Sequence, residues 1–252
     1  MLELHGRVAV VTGAASGIGQ ATAELFAIKG AAVVVVDINP AGASVVKRIS
    51  LGGGRARFVP ADLTRRIDCG VVVETAREAY GGVDILVNNA GVSGHRLVGD
   101  ITAEFLDHQL AVNIRAVVLL TDKALPLLKA SVRQRGCAQV VNTASNAGKR
   151  GEATLSSYSA TKAAVVGFTE ALHDELAPSG IKATAICPGL VDTPMADGYR
   201  DEIAASTRIT PSDVAEVVAM TTRLSAACII PEVVLLRPTE WLQPDEVRAG
   251  LG

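Results

Sequence analysis

A tyrosine and a lysine one helical turn apart are the residues whose types and spacing point most directly to chemistry. Tyr158 and Lys162 stand at positions i and i+4 of a predicted helix, so their side chains share one helix face. A free tyrosine has a pKa of about 10 and stays protonated near neutrality. An ammonium group one turn away favours the phenolate and lowers that pKa, which predicts an acid/base catalyst. A surface lysine beside a half-buried tyrosine is the alternative, because this spacing also occurs by chance.

Ser145 supports the catalytic interpretation. It directly follows a predicted strand, in Asn142-Thr143-Ala144-Ser145, and its hydroxyl could hold a substrate oxygen against the tyrosine. Two other catalytic patterns are missing from the sequence. The histidines form no His-Glu-x-x-His, and Gly91-Val92-Ser93-Gly94-His95 departs from Gly-x-Ser-x-Gly at its last position. We therefore expect neither a metal site nor a hydrolase nucleophile.

A glycine-rich turn follows the first predicted strand and leads into a helix. Residues 12–19 read Thr-Gly-Ala-Ala-Ser-Gly-Ile-Gly. Glycines let the backbone approach a pyrophosphate closely, and a helix N-terminus offers N–H groups and the positive end of its dipole. The turn predicts dinucleotide binding, with a tight turn that binds nothing as the alternative. The candidate contacts are Gly13, Ser16, Gly17, Ile18 and Gly19.

Asp37 ends the second predicted strand. A carboxylate there can accept hydrogen bonds from both hydroxyls of an adenosine ribose, and it repels a 2′-phosphate. The next residue, Ile38, and the glycine-rich turn offer no arginine or lysine to a phosphate. The sequence therefore favours NAD over NADP. Capping the turn that follows, at Asn39-Pro40, is the alternative role.

Polar residues also end the third and fourth predicted strands. Asp62-Leu63 follows one strand, and Asn88-Asn89-Ala90-Gly91 follows the other. Ligands of open α/β sheets bind at the carboxyl ends of the strands. Turn formation alone is the alternative. We expect contacts to the cofactor from Asp62, Leu63, Asn89, Ala90 and Gly91.

Alternating strands and helices must position these residues. Short β-branched runs predict strands buried on both faces, at 7–12, 31–37, 55–60, 83–88, 138–143, 181–187 and 232–236. Helix-length segments lie between them, at 17–29, 41–51, 65–80, 103–135 and 156–177, and a further helix opens at Thr210-Pro211. The pattern predicts an α/β fold in which residues 1–252 form one domain. This domain is a doubly wound parallel sheet of six to seven strands, with helices on both faces.

Composition excludes several classes of protein. The 252 residues carry a net charge of −2, which gives no electrostatic footprint for nucleic acid, and 49% are hydrophobic, which excludes disorder. The longest apolar runs are far shorter than a membrane span, and the N-terminus has an acid where a signal peptide is basic. We expect a cytoplasmic protein with reduced, buried thiols at Cys69, Cys137, Cys187 and Cys228.

The order of these motifs resembles the classical short-chain dehydrogenase/reductase family over almost the whole chain. The resemblance rests on the glycine-rich turn 12–19, on 88–91, on Ser145, on Tyr158 with Lys162, and on Cys187-Pro188-Gly189. It implies a Rossmann-type fold and reversible hydride transfer between a nicotinamide cofactor and a carbonyl or alcohol.

The resemblance also implies roles for single residues. Tyr158 would be the acid/base, Lys162 would lower its pKa and bind the nicotinamide ribose, and Ser145 would orient the substrate oxygen. Asn113 matches a helix asparagine that holds a water in the proton relay. The segment over the nicotinamide end would comprise Pro188, Gly189, Val191 and Thr193.

Two stretches depart from the family pattern. Residues 131–136 are lengthened, and we expect a surface loop there. Residues 231–239 replace a Val-Asp-Gly-Gly-like turn, which leaves tetramer formation and substrate class open. We expect the tail, 240–252 with Trp241, to be an ordinary surface segment. A cover over a neighbouring subunit or over the substrate mouth is the alternative.

The resulting hypothesis is an NAD(H)-dependent oxidoreductase acting on a secondary alcohol or ketone. The predicted substrate pocket lies between 93–96, 146–155 and a lid at 190–208, in which Met195 and Tyr199 either line the pocket or pack the lid. The alternatives are an NADPH-dependent 3-oxoacyl thioester reductase and a non-catalytic nucleotide-sensing module. We expect a homodimer or homotetramer through the helices at 103–129 and 156–177, with apolar candidates at Leu119, Leu120 and Phe168.

Overall fold

Seven parallel strands form one sheet in the computed structural model, which describes residues 3–199, 203–238 and 240. The strand order is β3-β2-β1-β4-β5-β6-β7. The strands are β1 Val8–Thr12, β2 Ala32–Asp37, β3 Arg55–Pro60, β4 Ile85–Asn88, β5 Ala138–Thr143, β6 Ile181–Pro188 and β7 Glu232–Leu235. The order reverses between β1 and β4, and this switch point is where open α/β sheets bind their ligands. The predicted α/β fold with a doubly wound parallel sheet is confirmed.

Helices cover both faces of the sheet. They are α1 Gly17–Ile28, α2 Gly42–Leu51, α3 Arg66–Tyr80, α4 Ala103–Leu110, α5 Ala116–Arg135, α6 Ser156–Leu176 and α7 Pro211–Arg223. Alternating strand residues divide between two cores, because successive side chains of a strand point to opposite faces. Val33 and Val35 pack with α1, α2 and α7, whereas Val34 and Val36 pack with α3, α5 and α6.

The long helix predicted at 103–135 is interrupted. A π-helical turn, Ala111–Arg115, separates α4 from α5 and contains Asn113. Such turns insert an extra residue and frequently occur at functional sites. Leu120 faces the core behind the sheet, and Leu119 and Phe168 are partly buried against the same core. The three side chains therefore pack in the core of this chain. This was the alternative to their predicted place in a subunit interface.

The surface loop expected at 131–136 is wrong. These residues form the end of α5, which stops at Gly136 in a left-handed conformation with φ +82°. Ser131 is buried and donates a hydrogen bond to Asp84 Oδ1, and Arg135 Nε lies 2.9 Å from the same oxygen. The added residues thus prolong the helix, and two of them are partners of the buried carboxylate of Asp84, which directly precedes β4.

The cysteine prediction is correct in part. All four cysteines are free, and Cys69 and Cys187 are buried. Cys137 is half-buried and Cys228 is exposed, so the expectation of buried thiols is wrong for Cys228. It lies in the connection between α7 and β7, and its carbonyl oxygen accepts a hydrogen bond from Lys182 Nζ of β6 at 3.2 Å while the residue stays exposed. Within the described ranges, no helix is both long enough and apolar enough to cross a membrane.

Candidate active site

A cavity of about 960 Å³ opens at the carboxyl ends of the strands. Parallel strands end at one edge of the sheet, so residues far apart in the sequence meet there. All but two of the predicted site residues line this cavity. They are Gly13, Ser16, Gly17, Ile18, Asp37, Ile38, Asp62, Leu63, Asn89, Ala90, Gly91, Ser145, Tyr158, Lys162, Pro188, Gly189, Val191 and Thr193. The two that do not line it are Gly19 and Asn113.

The glycine-rich turn has a shape that side chains would obstruct. Gly13 has φ +63°, and a Cβ on it would lie 2.8 Å from the Cα of Ala90. A Cβ on Gly19 would lie 2.3 Å from the carbonyl oxygen of Gly13, so Gly19 allows α1 to pack closely under the turn. Gly19 therefore shapes the cavity without lining it.

The start of α1 is suited to an anion. The side chain of Ser16, at the N-cap, accepts no hydrogen bond from the first turn of the helix. The first N–H groups of a helix have no partner within the helix, and the dipole there is positive. An uncapped N-terminus in a cavity shaped by glycines fits the pyrophosphate of a dinucleotide.

Asp37 caps the turn that follows it and also lines the cavity. Its Oδ2 accepts a hydrogen bond from Ala15 N at 2.9 Å, and its Oδ1 accepts one from Asn39 N at 2.8 Å. The carboxylate therefore caps the turn after β2 and ties it to the glycine-rich turn. It also lines the cavity, where its remaining lone pairs are acceptors for hydroxyl groups.

The asparagines after β4 hold the strand ends together. Asn89 Nδ2 donates to Thr12 O at 3.0 Å, and Asn89 N donates to Thr12 Oγ1 at 2.9 Å. Asn88 is buried and donates to Thr121 Oγ1 and Asn142 Oδ1.

Asp62, which follows β3, also lines the cavity, and hydrogen bonds from Thr64 lower the pKa of its carboxyl group. This carboxyl group is therefore ionised in the cavity wall.

Lys162 lies deep in the wall formed by α6. Its side chain is buried, and Nζ donates a hydrogen bond to Thr143 O at 2.8 Å. Burial lowers the pKa of this lysine to about 8, because the charged form loses water. The same nitrogen lies 5.7 Å from the centre of the Tyr158 ring. The i and i+4 spacing thus brings the two side chains together, as predicted.

Ser145 is the N-cap of a short 3₁₀ turn, Asn146–Gly148. Its Oγ accepts from Ala147 N at 3.2 Å and donates to Asn146 Oδ1 at 3.2 Å. A Cβ on Gly148 would lie 2.6 Å from the carbonyl carbon of Lys162, so the glycine allows this turn to press onto α6. That contact places Ser145, Tyr158 and Lys162 in one wall of the cavity.

Asn113 lies behind this wall. Its Oδ1 accepts from Val92 N at 2.8 Å, and its Nδ2 donates to Val92 O at 2.9 Å and to Thr161 Oγ1 at 3.0 Å. Both amide hydrogens are thereby used. The side chain consequently connects Val92 to Thr161 of α6 and so positions the segment after β4 against this helix.

Residues from all three stretches predicted to form the substrate pocket line the cavity. The residues from these stretches that line the cavity are Ser93, Asn146, Ala147, 150–153, Leu155, Leu190, Val191, 193–196 and Ile203. His95 and Arg96 do not line it. Met195 lines the cavity and is 52% exposed. The side chain of Tyr199 and residues 200–202 of the predicted lid lie outside the described residues.

Several cavity residues were missed by sequence reasoning. Ala61, Thr64, Val92, Thr143 and Ala144 lie directly beside predicted ones, whereas His108, Val112, Arg237 and Glu240 come from elsewhere in the chain. His108 lies just before the π-helical turn and Val112 lies within it, and no local pattern indicated this turn. The expectation of an ordinary surface segment from residue 240 onward is wrong for Glu240, whose side chain is only 8% exposed. In the sequence, the departure of residues 231–239 from the family pattern indicated that this region is unusual, but it did not single out Glu240. Trp241 and the rest of the tail lie outside the described residues.

Comparisons with known proteins agree with this geometry. A family model described as short chain dehydrogenase matches residues 7–204. A Streptomyces virginiae protein named as a ketoacyl reductase of the monensin polyketide synthase is 41% identical over 82% of this chain and 78% of its own length. The 3-oxoacyl-[acyl-carrier-protein] reductase of Thermotoga maritima is 36% identical over 78% of each chain.

Solved structures of similar proteins have the same fold as this chain. The 3-ketoacyl-(acyl-carrier-protein) reductase of Brucella melitensis, complexed with NADH, has a TM-score of 0.83 at 36% identity, over 92% of this chain and 97% of its own. A short chain dehydrogenase of Burkholderia cenocepacia, in complex with NADP, has a TM-score of 0.82 at 33% identity, over 93% and 97%. The family match, these similarities and the confirmed fold lead to one conclusion: this chain belongs to the short-chain dehydrogenases/reductases, a family of oxidoreductases.

Proposed function

We propose that this protein interconverts a secondary alcohol and a ketone with NAD(H) as its cofactor. The observation that carries the proposal is one cavity that holds Ser145, Tyr158 and Lys162 at one end and Asp37 at the other. A proton-transfer group, a lysine that favours its phenolate and a hydroxyl for the substrate oxygen are what such a reaction requires from the protein.

The residues of the chain divide the work as follows. Residues 13–18 bind the pyrophosphate, Asp37 binds the adenosine ribose, and the nicotinamide, when bound, accepts or supplies the hydride. The Ser145 hydroxyl holds the substrate oxygen. The Tyr158 hydroxyl takes up or releases the proton of that oxygen. The Lys162 ammonium stabilises the phenolate, and its bond to Thr143 O keeps it in place.

The preference for NAD(H) rests on Asp37. Its neighbours in the cavity are Ile38 and residues 61–64, which include no arginine or lysine for a 2′-phosphate. Solved neighbours of the chain include one NADH complex and one NADP complex, so the choice comes from this chain's own residues. A carboxylate at this point repels a 2′-phosphate.

Cofactor binding tests this assignment directly. Titration with NADH and NADPH, followed by fluorescence, should show tighter binding of NADH by the wild type. Asp37→Ala should weaken NADH binding by about ten-fold, because hydrogen bonds to a charged group are lost. Asp100→Ala is the matched control, since Asp100 is exposed and does not line the cavity. Equal or tighter binding of NADPH by the wild type would refute the role of Asp37.

A second candidate substrate is a 3-oxoacyl thioester. The support is that two relatives and one solved neighbour carry ketoacyl or oxoacyl reductase in their names, and that this neighbour was complexed with NADH. Such a substrate is itself a ketone and is compatible with an acid at position 37.

A screen of NAD⁺ reduction separates these candidates. The panel comprises secondary alcohols, polyols, steroids and 3-hydroxyacyl thioesters. Turnover of the thioesters alone identifies the second candidate, and turnover of simple alcohols identifies the first. NADH binding without turnover of any member contradicts both and favours a nucleotide-sensing module.

A further inference from the structure

The carboxylate of Glu240 is built into the wall of the cavity by four hydrogen bonds. Its Oε1 accepts from Asn146 Nδ2 and from Leu190 N, each at 3.2 Å. Its Oε2 accepts from Arg237 Nε at 3.1 Å and from Arg237 N at 3.4 Å. Because each oxygen has two donors, the position and the orientation of the carboxylate are both fixed.

The turn after β6 leaves room for this carboxylate. A Cβ on Gly189 would lie 2.6 Å from Glu240 Cδ and 2.7 Å from both carboxylate oxygens. Glycine at position 189 therefore allows Glu240 to pack against the backbone of the turn. The C-terminal segment thus contacts the wall where the predicted lid begins, at Leu190.

Glu240 also helps to orient the side chain of Asn146, together with the carboxylate of Glu152, which the Asn146 side chain contacts as well. A carboxylate only accepts hydrogen bonds, so the amide must turn its Nδ2 toward Glu240. Its Oδ1 then faces Ser145 Oγ, at 3.2 Å. Without Glu240, the amide would lose one of the two carboxylates that hold it. It could then rotate more freely and present N–H groups to Ser145, which would change the hydrogen bonding of the serine hydroxyl.

We propose that Glu240 is a positioning residue for the reaction. It acts through Asn146 on the hydroxyl of Ser145, and its bond to Leu190 N joins the start of the lid to the same wall. The inference rests on the proposed function of Ser145. Glu240 itself is separated from the reacting oxygen by Asn146 and Ser145, so its effect should be on turnover rather than on cofactor binding.

Steady-state kinetics with Glu240→Ala test this inference. We expect kcat to fall by about ten-fold, a typical effect of removing the partner of a catalytic group. The Kd for NADH should stay unchanged. Glu232→Ala is the matched control, because Glu232 also ties the C-terminal segment to the 3₁₀ turn, through Lys149 Nζ at 2.8 Å, but contacts neither Asn146 nor Ser145. Its kcat should equal that of the wild type.

A double-mutant cycle separates positioning from general stability. In the Asn146→Ala background, Glu240→Ala should cause a much smaller loss of kcat than in the wild type, because its route to Ser145 is already broken and only its bond to Leu190 N remains. A merely structural glutamate would lower kcat by the same factor in both backgrounds. An unchanged kcat in Glu240→Ala, or equal losses in the two backgrounds, overturns the inference.

A measurement without turnover tests the contacts of Glu240 independently. Glu240→Ala should speed hydrogen exchange of the Leu190 amide and shift the NMR resonances of the Asn146 side-chain amide, whereas Glu232→Ala should do neither. If the wild type turns over no substrate of the panel, the proposed function has failed, and these two readouts still decide the role of Glu240. Unchanged exchange and unchanged resonances overturn it.

Discussion

Lys162 carries its charge in a place with little water. Its side chain is 3% exposed, and the acceptor of its hydrogen bond is the carbonyl oxygen of Thr143. Burial lowers its pKa to about 8, so the ammonium form still predominates near pH 7. That charge can favour the phenolate of Tyr158, but the buried charge lowers the stability of the fold.

Because the buried charge of Lys162 destabilises the fold, we expect Lys162→Met to be more stable than the wild type at pH 7. The folded lysine loses its proton near pH 8 and the unfolded one near about 10.4, so the unfolded state binds more protons between these values. Wild-type stability therefore rises with pH in that window. Without cofactor, the free energy of unfolding of Lys162→Met at pH 7 should exceed that of the wild type by about 1–3 kcal/mol.

Urea denaturation at pH 7 and at pH 10 checks this prediction. The advantage of Lys162→Met should shrink at the higher pH, where the wild-type lysine is neutral in the fold. Lys47→Met, at an exposed position of α2, is the control and should show no such pH dependence. A variant less stable than the wild type at pH 7 would contradict burial as the cause of the lowered pKa. The same variant should lose turnover and bind NADH more weakly.

Tyr158→Phe tests the proton-transfer step. The change removes one hydroxyl and leaves the ring that packs with Ala147 and Leu155, so the fold and the Kd for NADH should stay unchanged. General acid–base catalysis contributes about 10²–10⁴-fold, and kcat should fall by at least that factor. In the wild type, the rate of alcohol oxidation should rise with pH as the phenol deprotonates. Tyr80→Phe, on α3 and outside the cavity, is the control. Near-normal turnover by a folded, NADH-binding Tyr158→Phe would remove Tyr158 from the mechanism.

At the scale of elements, the end of α5 performs a structural task opposite the active site. Asp84 is buried before β4 and accepts hydrogen bonds from Val8 N and Ser131 Oγ, with Arg135 Nε nearby. These contacts connect the start of β1, the start of β4 and the end of α5. The extra residues of the helix thus supply a hydrogen bond and a positive charge to a buried carboxylate at the amino edge of the sheet.

Ser131→Ala should therefore lower the stability of the fold. It leaves the Asp84 carboxylate with one donor fewer, and an unsatisfied buried group costs about 1–3 kcal/mol. Urea denaturation measures the loss. Ser44→Ala, at an exposed position of α2, is the control and should change stability little. A Ser131→Ala protein as stable as the wild type would show that Val8 and Arg135 suffice for Asp84. Turnover should be unaffected in both variants, because the change lies at the edge of the sheet opposite the cavity.

At the scale of the whole molecule, we expect a dimer or a tetramer. The family pairs two long helices across a two-fold axis, and the corresponding helices here are α4 with α5, and α6. Such a self-complementary arrangement produces an isologous interface. Leu110 and Val118, on α4 and α5, are 40% and 38% exposed in the isolated chain.

Light scattering at micromolar concentration should accordingly give a multiple of the 26.0 kDa chain mass. Val118→Asp places a charge in the proposed interface and should shift the equilibrium toward the monomer. Val71→Asp, at an exposed position of α3, is the control and should leave the mass unchanged. A wild-type monomer under these conditions would rule out the predicted assembly.

The sequence by itself determined the elements, the strand-end residues and the pairing of Tyr158 with Lys162. These features depend on local periodicity: β-branched runs form buried strands, and residues i and i+4 share a helix face. Parallel strands then bring their carboxyl ends to one edge, so Asp37, Asn89 and Ser145 could be assigned to one site before any contact was known.

Only the tertiary structure decided which distant residues complete that site. Glu240 reaches Asn146 across 94 positions of sequence, and Ser131 reaches Asp84 across 47. Such hydrogen bonds form because folding buries polar groups that need partners, and the partner is whichever residue the packing brings near. The periodicity of the sequence does not indicate which residue this will be. For the same reason a tail predicted as surface supplied a buried carboxylate, and a predicted loop became the end of a helix.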